Sequence, residues 1–482
     1  MRQNRAGEQK SLRLFGRFSI ITIVCATLLY GGSFEDFKRG QAESFQKFQD
    51  ERDNAFNNYL KEEFKAYKEQ QGISIYEKPK PKTIPTTKPL KVKAVGPKTI
   101  IKIKKPQEKE PQIVQKEQVT PKKAINFDFY GSALGFDIPD GLSTAKFMPH
   151  TQKGISSFFE VAASSQYTDL VKDLQNVSNS MNLNDWGVYL LVLKYSDAVF
   201  TNPDESKLLS WFLFNKLGFN VKVGLAHKHI VLMHYSKKTI YSTPNYSFGD
   251  KKFYVVSNYD KGSVGTLYSY DHDYPDADKP LDLSMKTLPY FEMAMKKKHL
   301  EFEHFKKQYT LSYLYNQNLI DFMSTYPQAD YETYFNAPLE GSTYKSIATE
   351  LKKYLDGKQV SESMNFVLNF VQNAFIYERD DQQFGREKVM FAEETLYYDK
   401  SDCEDRAVLY SYLIRELFGV SVVGVKYKDH MATAMNVPMQ GDSIKKGSKT
   451  FIIADPTYIN ANIGQSMPQY KSVKPEEIIE IR

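Results

Sequence analysis

Cysteine is almost missing from this chain: two in 482 residues, Cys25 and Cys403. Cys25 lies inside an apolar N-terminal run, so everything after that run carries one thiol and has no partner for a disulfide. The run itself lacks two things. No clean small-x-small cleavage site follows it, and Thr22-Ile-Val-Cys lacks the Leu and small residues of a bacterial lipobox, which speaks against lipid attachment at Cys25. Asp271, Asp273, Asp276 and Asp278 lack the glycine of an EF-hand loop and read as a solvated acidic loop. His227, His229 and His234 have neither a cysteine nor a carboxylate cluster beside them and read as an exposed strand face. No metal and no cofactor are therefore expected.

What is present is unevenly spread. The 41% hydrophobic, 25% charged composition is that of a globular protein, and 14% aromatic residues promise sizeable cores. The length suits about three domains. Residues 1–17 form a basic tail, with Arg2, Arg5, Lys10, Arg13 and Arg17 against Glu8, and residues 18–32 are uncharged and mostly apolar. This is an export signal, read as an uncleaved anchor with a cleaved peptide as the alternative. It predicts a single-pass bacterial inner-membrane protein with the basic tail in the cytoplasm and everything after residue 33 in the periplasm or outside the cytoplasm.

Residues 33–71 repeat with a period of eleven, Phe34, Phe45, Phe56 and Tyr67 in one row and Phe37, Phe48 and Tyr59 in another. Eleven residues is close to three helical turns, so one long helix with an aromatic stripe is expected. The stripe would serve as a seam for self-association, or pack on the chain's own domains or on a membrane surface. Residues 72–125 hold eight prolines and fourteen lysines against four acidic residues, a net of +10. Pro-rich, like-charged sequence predicts an extended, disordered linker, either a solvated spacer or a contact for an anionic wall polymer or lipid face. The basic run has no aromatic interleaving and lies on the export side, so nucleic acid is not an expected partner.

Chemistry concentrates near the C-terminus. Ser401 or Asp402 caps a helix whose first turn holds Glu404 and Asp405, with Val408, Leu409, Tyr412, Leu413 and Leu417 recurring at helical spacing. Cys403 thus sits at a helix N-terminus, where the dipole favours thiolate while the adjacent carboxylates oppose it. A strand then delivers His430, and Phe451-Ile-Ile-Ala-Asp455-Pro456 is a short strand ending in a carboxylate. Nucleophile Cys403, base His430 and orienting acid Asp455 fill the three roles that thiol acyl transfer needs. The backbone N–H of Cys403 is the candidate oxyanion donor.

These pieces resemble the transglutaminase-like superfamily over roughly residues 340–482: Asp402-Cys403-Glu404-Asp405, the stretch from Leu413 through Gly419 to Gly424, His430, and Asp455-Pro-Thr457. Ser401 stands where that family usually has Gly, and Met431 where a Trp often follows the His. The resemblance implies an α+β, papain-like cysteine-proteinase fold, a nucleophile helix packed on an antiparallel sheet, acting on a protein or peptide substrate.

Residues 200–257 repeat that logic. Setting residue 204 against 404 without gaps pairs Leu209 with Leu409, Leu213 with Leu413 and Val223-Gly224 with Val423-Gly424, and puts Pro203 and Ile230 opposite Cys403 and His430; setting Phe253-Tyr-Val-Val-Ser on Phe451-Ile-Ile-Ala-Asp puts Ser257 opposite Asp455. Residues 126–300 are accordingly expected to be a degenerate lobe and residues 301–482 the catalytic domain. Two functions follow as expectations: a tethered cysteine peptidase, amidase or acyltransferase working through a thioester, or a catalytically silent envelope scaffold that uses the same lobes to bind.

Overall fold

A computed structural model describes residues 34–76, 78–103, 123–258 and 261–482. The expected basic tail and anchor, residues 1–32, lie outside the described residues, as does the linker segment 104–122. Among the described residues no helix is long and apolar enough to cross a membrane. The chain divides into residues 1–55 and 56–482. Of the first unit, the described part is helix, the start of α1 (Phe34–Lys61).

The second unit is mixed α+β. The expected helix through residue 71 ends at Lys61, and Lys65–Tyr67 (β1) becomes an antiparallel edge strand, Lys65 opposite Ser269 and Tyr67 opposite Leu267. An open sheet edge offers a full set of backbone partners to an incoming strand. Two members of the aromatic row serve this unit's own packing: Phe56 is buried against Phe159, Trp211, Tyr270 and Tyr274, and Tyr67 stacks on Phe248.

The first lobe places helix α2 (Pro203–Lys216) before strands β2 (Val221–Ala226), β3 (His229–Tyr235), β4 (Asn245–Phe248), β5 (Lys251–Tyr254) and β6 (Leu267–Ser269). Pro203 at the first helical position costs nothing, because its missing N–H would have no partner there, and Asn202 caps the turn through the Asp204 and Glu205 amides. A long hairpin, Met295–His304 and Lys307–Asn316 (β7 and β8), follows, and then the short helix Gln317–Ser324. Helices α3 (Gly341–Leu355) and α4 (Val360–Asn373) then lead to α5 (Cys403–Phe418) and to strands β9 (Val422–Lys426), β10 (Met431–Met435), β11 (Ser443–Lys446), β12 (Lys449–Ala454) and β13 (Glu477–Glu480).

The two sheets share one strand order. Leaving aside β1, the first runs β6-β2-β3-β5-β4 and the second β13-β9-β10-β12-β11, every neighbour antiparallel. In each, the fifth strand of the set returns to the edge beside the first. One face of each sheet joins a core common to both lobes; the other carries a small cluster of its own, around Met233, Tyr246 and Phe253 in one and Val425, Ala434 and Ile453 in the other.

The hairpin registers correct the ungapped sequence pairing by one residue. Ala226 pairs with His229 across the first turn, and the Tyr427 N–H donates to the His430 carbonyl across the second. His229, not Ile230, therefore holds the place of His430.

Residues 72–103, expected as a disordered tether, do run without regular structure, but they are packed on the domain. Ile75, Tyr76, Lys80 and Ile101 are buried. The composition argument fails because this segment borrows a core instead of building one: the Ser242 N–H donates to the Ile73 carbonyl, the Ile459 N–H to Pro85, and the Val360 N–H to Pro97.

Gly419 ends α5 in the left-handed region, φ 67°, and turns the chain into β9. A Cβ there would meet no neighbour, so the cost of one is conformational. Gly419→Ala should lower the unfolding free energy by about 1 kcal/mol, read from a urea titration.

Candidate active site

Cys403 is the first residue of α5 and fully buried. The Asp402 N–H donates to Asp405 Oδ2 at 3.1 Å, and the Met390 N–H donates to Asp405 Oδ1 at 2.8 Å, which holds the helix start against the preceding loop. Arg406, one turn in, is also fully buried. Its guanidinium donates to Ser401 Oγ and to the carbonyls of Gln372 and Phe375, pinning the end of α4 to the start of α5. Ser401 thus has a hydroxyl in use.

His430 and Asp455 meet as the sequence suggests: His430 Nε2 lies 2.8 Å from Asp455 Oδ2, both side chains buried. The other carboxylate oxygen accepts the N–H groups of Thr457 and Tyr458, so Asp455 is fixed before it fixes the imidazole. Tyr470 stacks on the imidazole, ring centroids 4.9 Å apart and 14° between planes. With Nε2 committed to Asp455, Nδ1 is the ring nitrogen available to a proton from elsewhere.

The thiol is differently engaged. Cys403 Sγ donates to Glu404 Oε2 at 3.1 Å, and Tyr76 Oη lies 3.9 Å from the sulfur while donating to the same Glu404 oxygen at 3.3 Å. His430 is not among the sulfur's hydrogen-bond partners. Burial, followed by the charges of Glu404 and Asp402, pushes the thiol well above its ordinary range despite Lys80. The expectation that the helix N-terminus would favour thiolate is overturned here: desolvation and two neighbouring carboxylates outweigh the dipole.

Around the thiol lies a cluster that sequence reasoning did not find. Lys80 Nζ sits 2.5 Å from Asp402 Oδ2, 2.5 Å from Glu404 Oε1, 2.9 Å from Glu387 Oε2 and 3.1 Å from Asp380 Oδ2, with Asp405 adjoining. One ammonium cannot neutralise five carboxylates at low dielectric, so protons are retained. Burial, with Asp380 and Glu404, lifts Asp402 well above the usual range; burial lifts Asp380 likewise; burial and Glu404 lift Asp405 to about 7. Burial works against Glu404 too, but Lys80 holds it below the usual range. The only hint in the sequence was the pair of acids beside Cys403; Asp380 and Lys80 are too distant along the chain to announce themselves.

The other sequence candidates do not gather. His229 is exposed and pairs with Asp204 at 3.0 Å, His227 lies in the turn, and His234 is packed against Tyr189 and Phe214, where burial lowers it to about 3. Asp273 is paired with Lys222 and Lys251, and Asp271 with Lys65 and Tyr67, so these acids of the expected loop are structural ion-pair partners. Comparison with family models, with curated proteins and with solved structures returns no match.

Asp405 gives a pH test. Its carboxyl is raised in the folded chain, so the folded state binds a proton that the unfolded chain releases, and stability is lost as pH rises from the ordinary carboxylate range to about 7. Asp405→Asn cannot titrate and should gain on wild type across that window. The expected change in relative unfolding free energy is on the order of 1–3 kcal/mol, measured by denaturant titration at several pH values.

Proposed function

We propose that this chain is an exported, membrane-tethered cysteine enzyme that acts on amide bonds through a thioester at Cys403, and that its C-terminal lobe is of the transglutaminase-like kind. The observation that carries this is the buried His430–Asp455 pair in the same lobe as a cysteine opening a helix. Cys403 loses its proton to His430 Nδ1 and attacks the carbonyl; the amine leaves with that proton; water or a second amine then releases the acyl group, giving hydrolysis or transfer. The tether and the periplasmic side rest on the pattern of residues 1–32.

The shared strand order supports reading residues 126–300 as a silent copy. At the three positions it has Pro203, His229 and Ser257, hence no nucleophile and no carboxylate at the strand end, and His229 is engaged by Asp204 on its own helix.

A second reading, an envelope scaffold whose lobes only bind, is favoured by one observation: the sulfur is buried and bonded to Glu404, and His430 is not among its hydrogen-bond partners. Tyr76→Ala separates the two by uncovering the thiol. On the enzyme reading, iodoacetamide at neutral pH alkylates Cys403 in that variant at least about tenfold faster than in wild type, and adding His430→Ala removes most of the gain. If the uncovered thiol reacts no faster than a model thiol whatever stands at 430, the scaffold reading holds.

A further inference from the structure

Lys80 belongs to no helix or strand, yet its ammonium is the only cation that bridges Asp380, Glu387, Asp402 and Glu404 among the described contacts. The segment bringing it there crosses both halves of the candidate site. Tyr76 covers the thiol, the Arg379 guanidinium donates to the Lys80 carbonyl, the Tyr377 hydroxyl donates to Pro81, and Pro85 and Thr87 exchange backbone bonds with Ile459, four residues beyond Asp455. An extended chain held by backbone bonds, with one side chain sunk in a pocket beside the nucleophile, is how a polypeptide substrate would lie in such a cleft.

Two further features point to the pocket as a place for a cation rather than for this lysine alone. Asp380 Oδ1 and Asp402 Oδ1 are buried without a partner among the described hydrogen bonds, so the cluster keeps polar capacity that Lys80 does not use, as oxygens that carry the retained protons or accept once those leave. On the outer side, Tyr76, Lys78, Lys80, Arg379, Asp381 and Glu387 line an open cavity of about 360 Å³ that reaches the cluster's edge at Lys80 and Glu387.

We propose that the pocket formed by Asp380, Glu387, Asp402 and Glu404 is a primary-ammonium subsite, filled in the resting chain by Lys80, and that its ligand when residues 72–103 lift is the lysine side chain of an extended polypeptide. Its use in catalysis rests on the acyl-transfer reading; its existence as a binding site does not. Three or more carboxylate oxygens around one compact point charge suit an ammonium with three N–H donors, and a guanidinium or a quaternary amine would not fit that geometry.

The test uses the full chain with Lys80→Ala, in which propylammonium is the missing piece of the side chain. Propylammonium should raise the melting temperature of the variant saturably, by about 3 °C or more, and leave wild type unmoved, while propanol and tetramethylammonium do nothing. The same rise should appear in Lys80→Ala combined with Cys403→Ala, so a failure of cysteine reactivity leaves this result intact. If the variant is recovered unfolded, recovery of its circular dichroism on refolding with propylammonium is the supporting result. Absence of both effects overturns the proposal. So does stabilisation by calcium or magnesium that exceeds that by propylammonium, which would make the cluster a metal site.

Discussion

The Lys80 ammonium among buried carboxylates is the interaction on which the candidate site depends. Two of those acids, Asp402 and Glu404, flank Cys403 at the start of α5, and a third, Asp380, opens the short helix Asp380–Gln383 upstream of it. Without a cation, burying these charges together at low dielectric would be untenable, and removing one member of such a network commonly costs about 3–5 kcal/mol. Even with Lys80 the balance is negative, so Asp380, Asp402 and Asp405 hold protons that solvent-exposed acids would release. The helix start, the stretch from 378 to 390 and the 72–103 segment are therefore coupled through one charge balance. That coupling also sets the state of the thiol, since Glu404, kept ionised by Lys80, accepts a hydrogen bond from the S–H and so favours the protonated sulfur.

The two lobes show the same scaffold with and without this device. In the second lobe the residue after the helix-initial position, Glu404, is bonded by Lys80, Tyr76 and Cys403, all within the site. In the first lobe the corresponding Asp204 bonds the Ile230 amide and the His229 ring, a local arrangement that needs nothing from outside the lobe. Helix, hairpin and strand order are held in common because they are set by apolar faces. The polar contacts differ because nothing in the packing requires them.

What was legible in the sequence follows the same division. The helix from Cys403, the helix from Pro203, the hairpin that carries His430 and the strand ending at Asp455 are local patterns of apolar spacing and caps, readable within a dozen residues. The one-residue error at Ile230 arose because the segment between helix and hairpin differs by a residue between lobes, which an ungapped pairing cannot show. The end of α1 at Lys61 was hidden because the open sheet edge that captures Lys65–Tyr67 is built some two hundred residues later. The packing of 72–103 was missed for a similar reason. Prolines and lysines rule out a core made by the segment itself and say nothing about a groove prepared elsewhere, and a lysine in a basic run looks solvated until its four carboxylates are known.

The covering segment also constrains how the thiol would be exposed. It is tied at both ends: Gln70 exchanges backbone bonds with Asn245 in the first lobe, and Thr99 with Lys358 and Gly357 in the second. Uncovering Cys403 therefore means lifting the middle of a strap, not releasing a tail. The contacts that must break in that middle are unequal: the Tyr377 and Arg379 side-chain bonds to the Pro81 and Lys80 carbonyls, the two backbone bonds of Ile459 with Pro85 and Thr87, the Asn460 and Asn462 side-chain bonds to Thr87 and Leu90, the Tyr76 contact, and the Lys80 cluster. The cluster is by far the strongest of them, because moving Lys80 leaves the acids uncompensated. A ligand able to replace that ammonium supplies the missing charge at the moment the strap leaves, and so lowers the barrier where it is highest. Occupation of the acid pocket and exposure of the thiol are, in this fold, one event.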